Sequence, residues 1–239
     1  RLQQQINCIE DFCNLSGIKI NIEKTKIMVF RNGGILKHTE KWYFNNIIVE
    51  VVSFYKYLGL FFTPRLIWTK THEMLALQGI KASACIFRYQ RNFGHLDPTD
   101  IFKIFDSMVR PILCYGSEIW GCKYIDKIEI VQAKFCKQYS GLYRNTANVL
   151  ALGECGRLPL CMTYIPNSIK YWLRILHMDE YRYPKQCYLM LRQLDNAGRK
   201  TWATSIKELL FMDGFGNVWL AQGVGDDGSF LNVFKQRIK

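Results

Sequence analysis

Residues 17–30 read Gly17-Ile18-Lys19-Ile20-Asn21-Ile22-Glu23-Lys24-Thr25-Lys26-Ile27-Met28-Val29-Phe30, and further along comes Phe54-Tyr55-Lys56-Tyr57-Leu58-Gly59-Leu60. In the first run Ile18, Ile20 and Ile22 alternate with Lys19 and Asn21, which is strand period. Ile27, Val29 and Phe30 add branched and aromatic residues. The reading is two short strands around a polar turn that presents lysines. The second run predicts a β-hairpin with Tyr57-Leu58-Gly59 at its bend. Upstream, Leu2 to Asn14 predicts a helix with Leu2, Ile6, Ile9, Phe12 and Cys13 on one buried face. Gly17 comes just past it, where a left-handed residue is commonly needed. Asn32-Gly33-Gly34 is a turn signal. Trp42 to Phe62 reads as β-rich, broken near Asn45-Asn46 and at Gly59, and Thr63-Pro64 ends it at a domain boundary.

From Trp68 the period becomes helical. Met74, Leu77, Ile80, Ala84 and Phe87 form the expected apolar stripe, with Lys70, Lys81, Arg88 and Arg91 off it. Asp97-Pro98-Thr99-Asp100 is a helix start, with a capping carboxylate, Pro at the first position and an acid at the third. Ile101, Phe105, Met108, Ile112 and Tyr115 are its expected buried face, and Pro111 should kink or break it. Ile125 to Tyr139 is the next helix, with Ile128, Val131 and Phe135 inward and Gly141 closing. Beyond Arg144, helices are expected over 145–152, 167–178, 184–194, 202–210 and 230–238, with the loop Gly153 to Leu160 between the first two. The fold class is α+β: a small antiparallel β region, then a mainly α-helical remainder.

The 239 residues are 49% hydrophobic and 22% charged, which suits a sizeable core and excludes disorder by composition. Aromatic content is 14%. Such residues fill cores and also stack on bases. The formal net charge is +12 and the sequence pI about 9.3, favouring a polyanionic partner, although a basic surface also serves solubility. The nine cysteines include no Cys-x-x-Cys pair. They read as free thiols in a reducing compartment, with Cys85, Cys114 and Cys136 among apolar neighbours. His38, His72, His95 and His177 show no metal-ligand spacing, and Ser117 and Ser140 no triad partners. No signal peptide and no long apolar run is seen. The expected location is therefore intracellular, in nucleus or cytoplasm, with no membrane partner.

Five patches, in this order, resemble the reverse transcriptases of non-LTR (LINE-type, jockey-like) retrotransposons. They are the Ile20–Phe30 run, Phe54-Tyr55-Lys56-Tyr57-Leu58-Gly59, and Val109-Arg110-Pro111-Ile112-Leu113-Cys114-Tyr115-Gly116-Ser117-Glu118-Ile119-Trp120-Gly121. The last two are Gly153-Glu154-Cys155-Gly156-Arg157-Leu158-Pro159-Leu160 and the end Gly214-Phe215…Trp219. The resemblance implies that residues 1–64 are the end of a polymerase palm, 65–145 a helical thumb and 146–239 a helical C-terminal extension. It implies that Lys24 is the lysine that approaches the pyrophosphate leaving group, with Lys26 sharing the electrostatic role. Tyr57, Leu58 and Gly59 match the primer grip. Lys70, Lys81, Arg88 and Arg91 would bind phosphates of the duplex without reading sequence. Each has a plainer reading: a surface turn lysine, a hairpin bend over a core of Tyr55, Tyr57 and Phe61, a solvated helix face.

The intact enzyme implied is an RNA-directed DNA polymerase, a nucleotidyltransferase using Mg²⁺, an RNA template and a DNA primer. Its paired aspartates are expected upstream of this chain, together with the rest of palm and fingers, so no metal site is assigned here. Glu10 and Asp11 sit on a helix and read as its solvated face. Gly225-Asp226-Asp227-Gly228 imitates a polymerase motif but reads as turn residues. Trp120, Trp172, Trp202 and Trp219 read as packing residues. The chain is thus expected to be the C-terminal part of such an enzyme, unable to polymerise alone and, with unpaired strand edges, poorly soluble. Alternatives are a non-enzymatic nucleic-acid-binding protein derived from such an element, and a helical scaffold.

Overall fold

A computed structural model describes residues 1–31, 34, 40–94 and 96–238. The expected turn at Asn32-Gly33 and the residues His38 and His95 lie outside the described residues. The class is α+β: twelve helices and two two-stranded antiparallel sheets among the described residues. The chain divides into two compact units, Arg1–Thr71 and His72–Lys239.

The first unit opens with α1 (Leu2–Ser16), which ends on Gly17 at φ 67. Of its expected inward face only Cys13 is buried. Ile6 is half-buried, and Leu2, Ile9 and Phe12 are exposed. What α1 does hold is polar. The Gln3 side chain bonds both the N–H and the C=O of Tyr43, and Glu10 accepts from the Asn45 N–H. Glu10 is therefore a hairpin anchor rather than part of a purely solvated face.

Strands β1 (Tyr43–Phe44) and β2 (Ile47–Ile48) pair across Asn45 and Asn46, both at positive φ. Strands β3 (Tyr55–Tyr57) and β4 (Leu60–Phe62) pair across Leu58 and Gly59. The strands expected over 18–22 and 27–30 do not form. The segment makes one parallel bridge, Ile27 to Val51. Alternation specifies a strand only where a neighbouring edge takes up its backbone groups, and among the described residues no strand pairs with Ile18–Ile22.

Helix α2 (Thr69–Phe93) starts as expected, but its buried face is rotated from the predicted stripe. Buried are His72, Leu75, Gly79, Ser83 and Ile86, whereas Leu77 and Ile80 are exposed. Small residues decide this. A Cβ on Gly79 would collide with the buried Leu113 side chain. Close approach selects the small-residue face over the more apolar one.

Helix α3 (Pro98–Met108) starts after Asp97, whose side chain makes no capping bond. It ends before Pro111, and α4 (Arg110–Leu113) resumes the turn, so the break occurs as read. The inward residues are Ile101, Phe102, Phe105, Val109 and Leu113; Met108 and Tyr115 are exposed instead of buried. After α5 (Ser117–Trp120), α6 (Asp126–Tyr139) buries Ile128, Val131 and Phe135 as expected. Helix α7 (Asn148–Glu154) begins three residues later than predicted.

Helix α8 (Cys161–Leu176) begins six residues before the predicted Asn167 and passes through Pro166. Its start is fixed from α6. The Glu129 carboxylate, 3% exposed, accepts the N–H of Leu160 at 2.8 Å and of Cys161 at 2.6 Å. Burial raises the Glu129 pKa, while those two N–H groups pull it down.

The chain continues through α9 (Tyr183–Asn196), α10 (Trp202–Met212), α11 (Gly216–Ala221) and α12 (Asp227–Arg237). Together with α8 they enclose a core of Trp172, Leu173, Tyr188, Ile206, Leu210 and Phe234. Trp120, Trp172 and Trp219 are buried, and Trp202 packs against that core. Asp226 caps α12 through the Ser229 N–H at 2.6 Å, and Asp227 lies 3.2 Å from His177. That places the aspartate pair at a helix start. All nine cysteines are free; Cys136 is buried, Cys114 half-buried and Cys85 exposed. Among the described residues no helix is long and apolar enough to cross a membrane.

Glu129→Ala strands two buried N–H groups, so it should destabilise the fold by roughly 2–5 kcal/mol in denaturant unfolding. Glu129→Gln keeps one acceptor and should cost less. A loss under about 1 kcal/mol for the alanine variant would remove Glu129 from this role.

His72 gives a pH test. Burial and the nearby Lys123 and Lys127 pull its pKa down from 6.5 to about 4. The unfolded chain therefore binds the proton first. Stability should fall as pH drops from 6.5 towards 4, by up to about 3 kcal/mol. His72→Leu should flatten that limb of the stability profile.

Candidate nucleic-acid interface

In the first unit, Asn21 organises the lysine turn. Its side-chain oxygen and its carbonyl both accept from the Lys24 N–H, at 3.0 and 3.2 Å, and its carbonyl also accepts the Thr25 hydroxyl. Asn in such a turn replaces a backbone partner with its own amide. Lys24 is left exposed at the turn. Lys26 is not equivalent, because it is paired with Glu50 at 2.6 Å.

The hairpin meets this turn through one bond. The Tyr55 hydroxyl donates to the Lys24 carbonyl at 3.3 Å. The structure thus brings together Lys24 and the hairpin carrying Tyr57, Leu58 and Gly59, which sequence spacing alone left apart. The hairpin tip is conspicuous in conformation and exposure. Leu58 has φ 47 and Gly59 φ 85. Two-residue turns of this kind need positive φ at both positions and favour Asn-Gly. A leucine there is an outlier for a bulky residue. It is also 72% exposed, next to Tyr57 at 58%. The plainer reading of the hairpin, a bend over a core of Tyr55, Tyr57 and Phe61, does not describe it. Both tyrosines are exposed, while Phe61 stacks on Phe54 at 4.8 Å and lies under Lys56.

In the second unit, the exposed face of α2 carries Lys81, Arg88 and Arg91 among the exposed apolar residues Leu77 and Ile80. A groove of about 620 Å³ runs between α2 and α6, with Ile80, Phe87 and Phe135 along it and Arg91 and Lys134 at its sides. Among the described residues none of Lys81, Arg88, Arg91 and Lys134 has an ion-pair partner. The sequence missed Lys134, which lies on a helix read only for its buried face. Lys70 is exposed on the first turn of α2 and falls in the first unit.

Among the described residues no group of three or more His, Cys, Asp or Glu side chains could hold a metal ion. Compared with known protein families, with curated proteins and with solved structures, the chain finds no match.

The strain at the hairpin tip yields a prediction. Leu58→Gly should stabilise or leave unchanged the first unit, within about 1 kcal/mol, because it removes a left-handed leucine. If Leu58 is kept for contact with nucleic acid, the same change should weaken hybrid binding. A variant that is less stable and binds unchanged would remove the tip from the interface.

Proposed function

We propose that this chain is the C-terminal part of a non-LTR retrotransposon reverse transcriptase and that it holds the template–primer duplex. In this reading residues 1–64 end the palm, 65–145 form the thumb and 146–239 extend it. Lys24 faces the leaving group, Tyr57-Leu58-Gly59 grips the primer, and Lys26 and Lys70 are secondary phosphate contacts. The RNA template and DNA primer are its partners. Mg²⁺ belongs to the intact enzyme, whose two-ion chemistry needs clustered carboxylates. In this reading those carboxylates lie upstream of the chain, whose own part is binding.

The observation that carries the reading is the basic face of α2. Lys81, Arg88 and Arg91 lie exposed on one side of a helix, without carboxylate partners among the described residues, opposite its buried face. Their side chains are spaced along about 15 Å of helix by the rise of 1.5 Å per residue. That suits successive backbone phosphates rather than a single anion. The order of the five sequence patches supports the assignment independently.

The test is binding of an RNA–DNA hybrid across a salt series. Affinity should fall steeply with salt, and Lys81→Ala/Arg88→Ala/Arg91→Ala should reduce the log–log slope by about 2–3. These are surface changes, so the melting temperature should hardly move. A folded wild-type chain with no salt-dependent binding, or a variant with an unchanged slope, would sink the proposal.

A further inference from the structure

The apolar stripe read from the sequence of α2 is left at the surface by the fold. Leu77 and Ile80 are 45% and 43% exposed, Ala84 is exposed and Phe87 half-buried. The helix packs inward instead on Leu75, Gly79, Ser83 and Ile86. Ile80, Ala84, Phe87 and Arg91 follow one another at helical three-and-four spacing, so they form one line along α2. That line is a wall of the groove of about 620 Å³ between α2 and α6. Phe87 leans on Phe135 of α6, with ring centroids 4.8 Å apart, which ties this wall to the neighbouring helix. Leu77 continues the apolar strip towards the start of α2.

The banks of the strip are basic. Lys81 and Arg88 lie two turns apart and make the next row on α2. Arg91 ends the strip, and Lys134 stands on the α6 side. All four are exposed. Among the described residues that line the groove none is acidic. A phosphate backbone answers these cations but leaves the apolar strip in water. An acidic amphipathic helix answers both. Its apolar side chains, recurring every three or four residues, match the strip, and carboxylates on its two flanks meet the two banks. From Leu77 to Arg91 the strip runs about 21 Å at 1.5 Å per residue, enough for about four turns of such a helix.

We infer that the groove between α2 and α6 docks an acidic amphipathic helix of a partner protein, with Leu77, Ile80, Ala84 and Phe87 as its apolar seat. The docking does not depend on the duplex role, which uses the cations and has no use for the strip. An apolar strip held open at this length is otherwise a liability in water.

The experiment titrates the full chain into a labelled peptide of about 16 residues made of leucine, alanine and glutamate. Its leucines recur every third or fourth position, with glutamates on both flanks. The control has the same composition with the leucines scattered around the helix. The amphipathic peptide should bind with a Kd on the order of 10 µM, at least about tenfold more tightly than the control. Leu77→Ser/Ile80→Ser keeps the charge and changes two exposed side chains, so the melting temperature should hardly move. It should weaken the peptide about tenfold and leave the RNA–DNA hybrid affinity unchanged. Lys134→Ala should weaken the peptide several-fold. Binding of the peptide by a chain that ignores the hybrid supports this inference while removing the duplex reading. Equal binding of the two peptides, or none at several hundred micromolar, overturns it. So does peptide binding indifferent to Leu77→Ser/Ile80→Ser. If that double variant weakens the hybrid and not the peptide, the strip belongs to a nucleic-acid surface and the inference falls.

Discussion

The second unit depends on a single buried carboxylate. Glu129 leaves α6, reaches the start of α8 and accepts two of the N–H groups that a helix leaves open at its beginning. An acid at that end of a helix also answers the macrodipole. Around it, Tyr164 on α8 accepts the Ile125 N–H at 2.9 Å, so the start of α6 and the body of α8 are tied a second time. Trp120 packs on the Tyr164 ring, and Ser168 donates to the Ser117 carbonyl at 2.8 Å. The position of α8 governs the carboxy-terminal core, because Trp172 and Leu173 form the seam on which α10, α11 and α12 close. The loop that precedes α8, with Arg157 in it, is held by the same arrangement.

The two units solve the burial problem differently. The second has enough helix to bury whole aromatic side chains such as Phe105, Phe135 and Trp172. The first holds its short hairpins mainly through specific polar contacts: Gln3 to Tyr43, Asn21 to Lys24, Tyr55 to Lys24, and Thr71 to both backbone groups of Phe61. Two-stranded hairpins are marginal alone, and such bonds fix their register where a core does not. The consequence is a set of exposed apolar side chains, Ile9, Phe12 and Leu15 on α1 and Leu58 at the hairpin tip.

How far the sequence revealed this depended on whether a signal was local. The α6 stripe, the break at Pro111, Gly17 after α1 and the turns at Asn45-Asn46 and Gly59 are local, and the structure has them. The buried face of α2 is not local. It is chosen by the approach of Leu113 to Gly79, and hydrophobic period alone points to the neighbouring face. The start of α8 was hidden for the same reason, since its cap lies on another helix 31 residues away. The candidate residues Lys24 and Tyr57-Leu58-Gly59 were visible as motifs. Their connection through the Tyr55 hydroxyl was not, and neither was the pairing of Lys26 with Glu50.

The stacked indoles of Trp172 and Trp219, 5.9 Å apart and 23° from parallel, are both buried. The Trp172 ring nitrogen donates to the Tyr188 hydroxyl, which donates in turn to Gln222 at a left-handed residue. Two chromophores held this close share their excited states. Such coupling is expected to split a band in circular dichroism, and it requires α8 and α11, which carry the two rings, to be docked. The protein thus carries its own gauge of whether the carboxy-terminal helices are assembled, readable without any label.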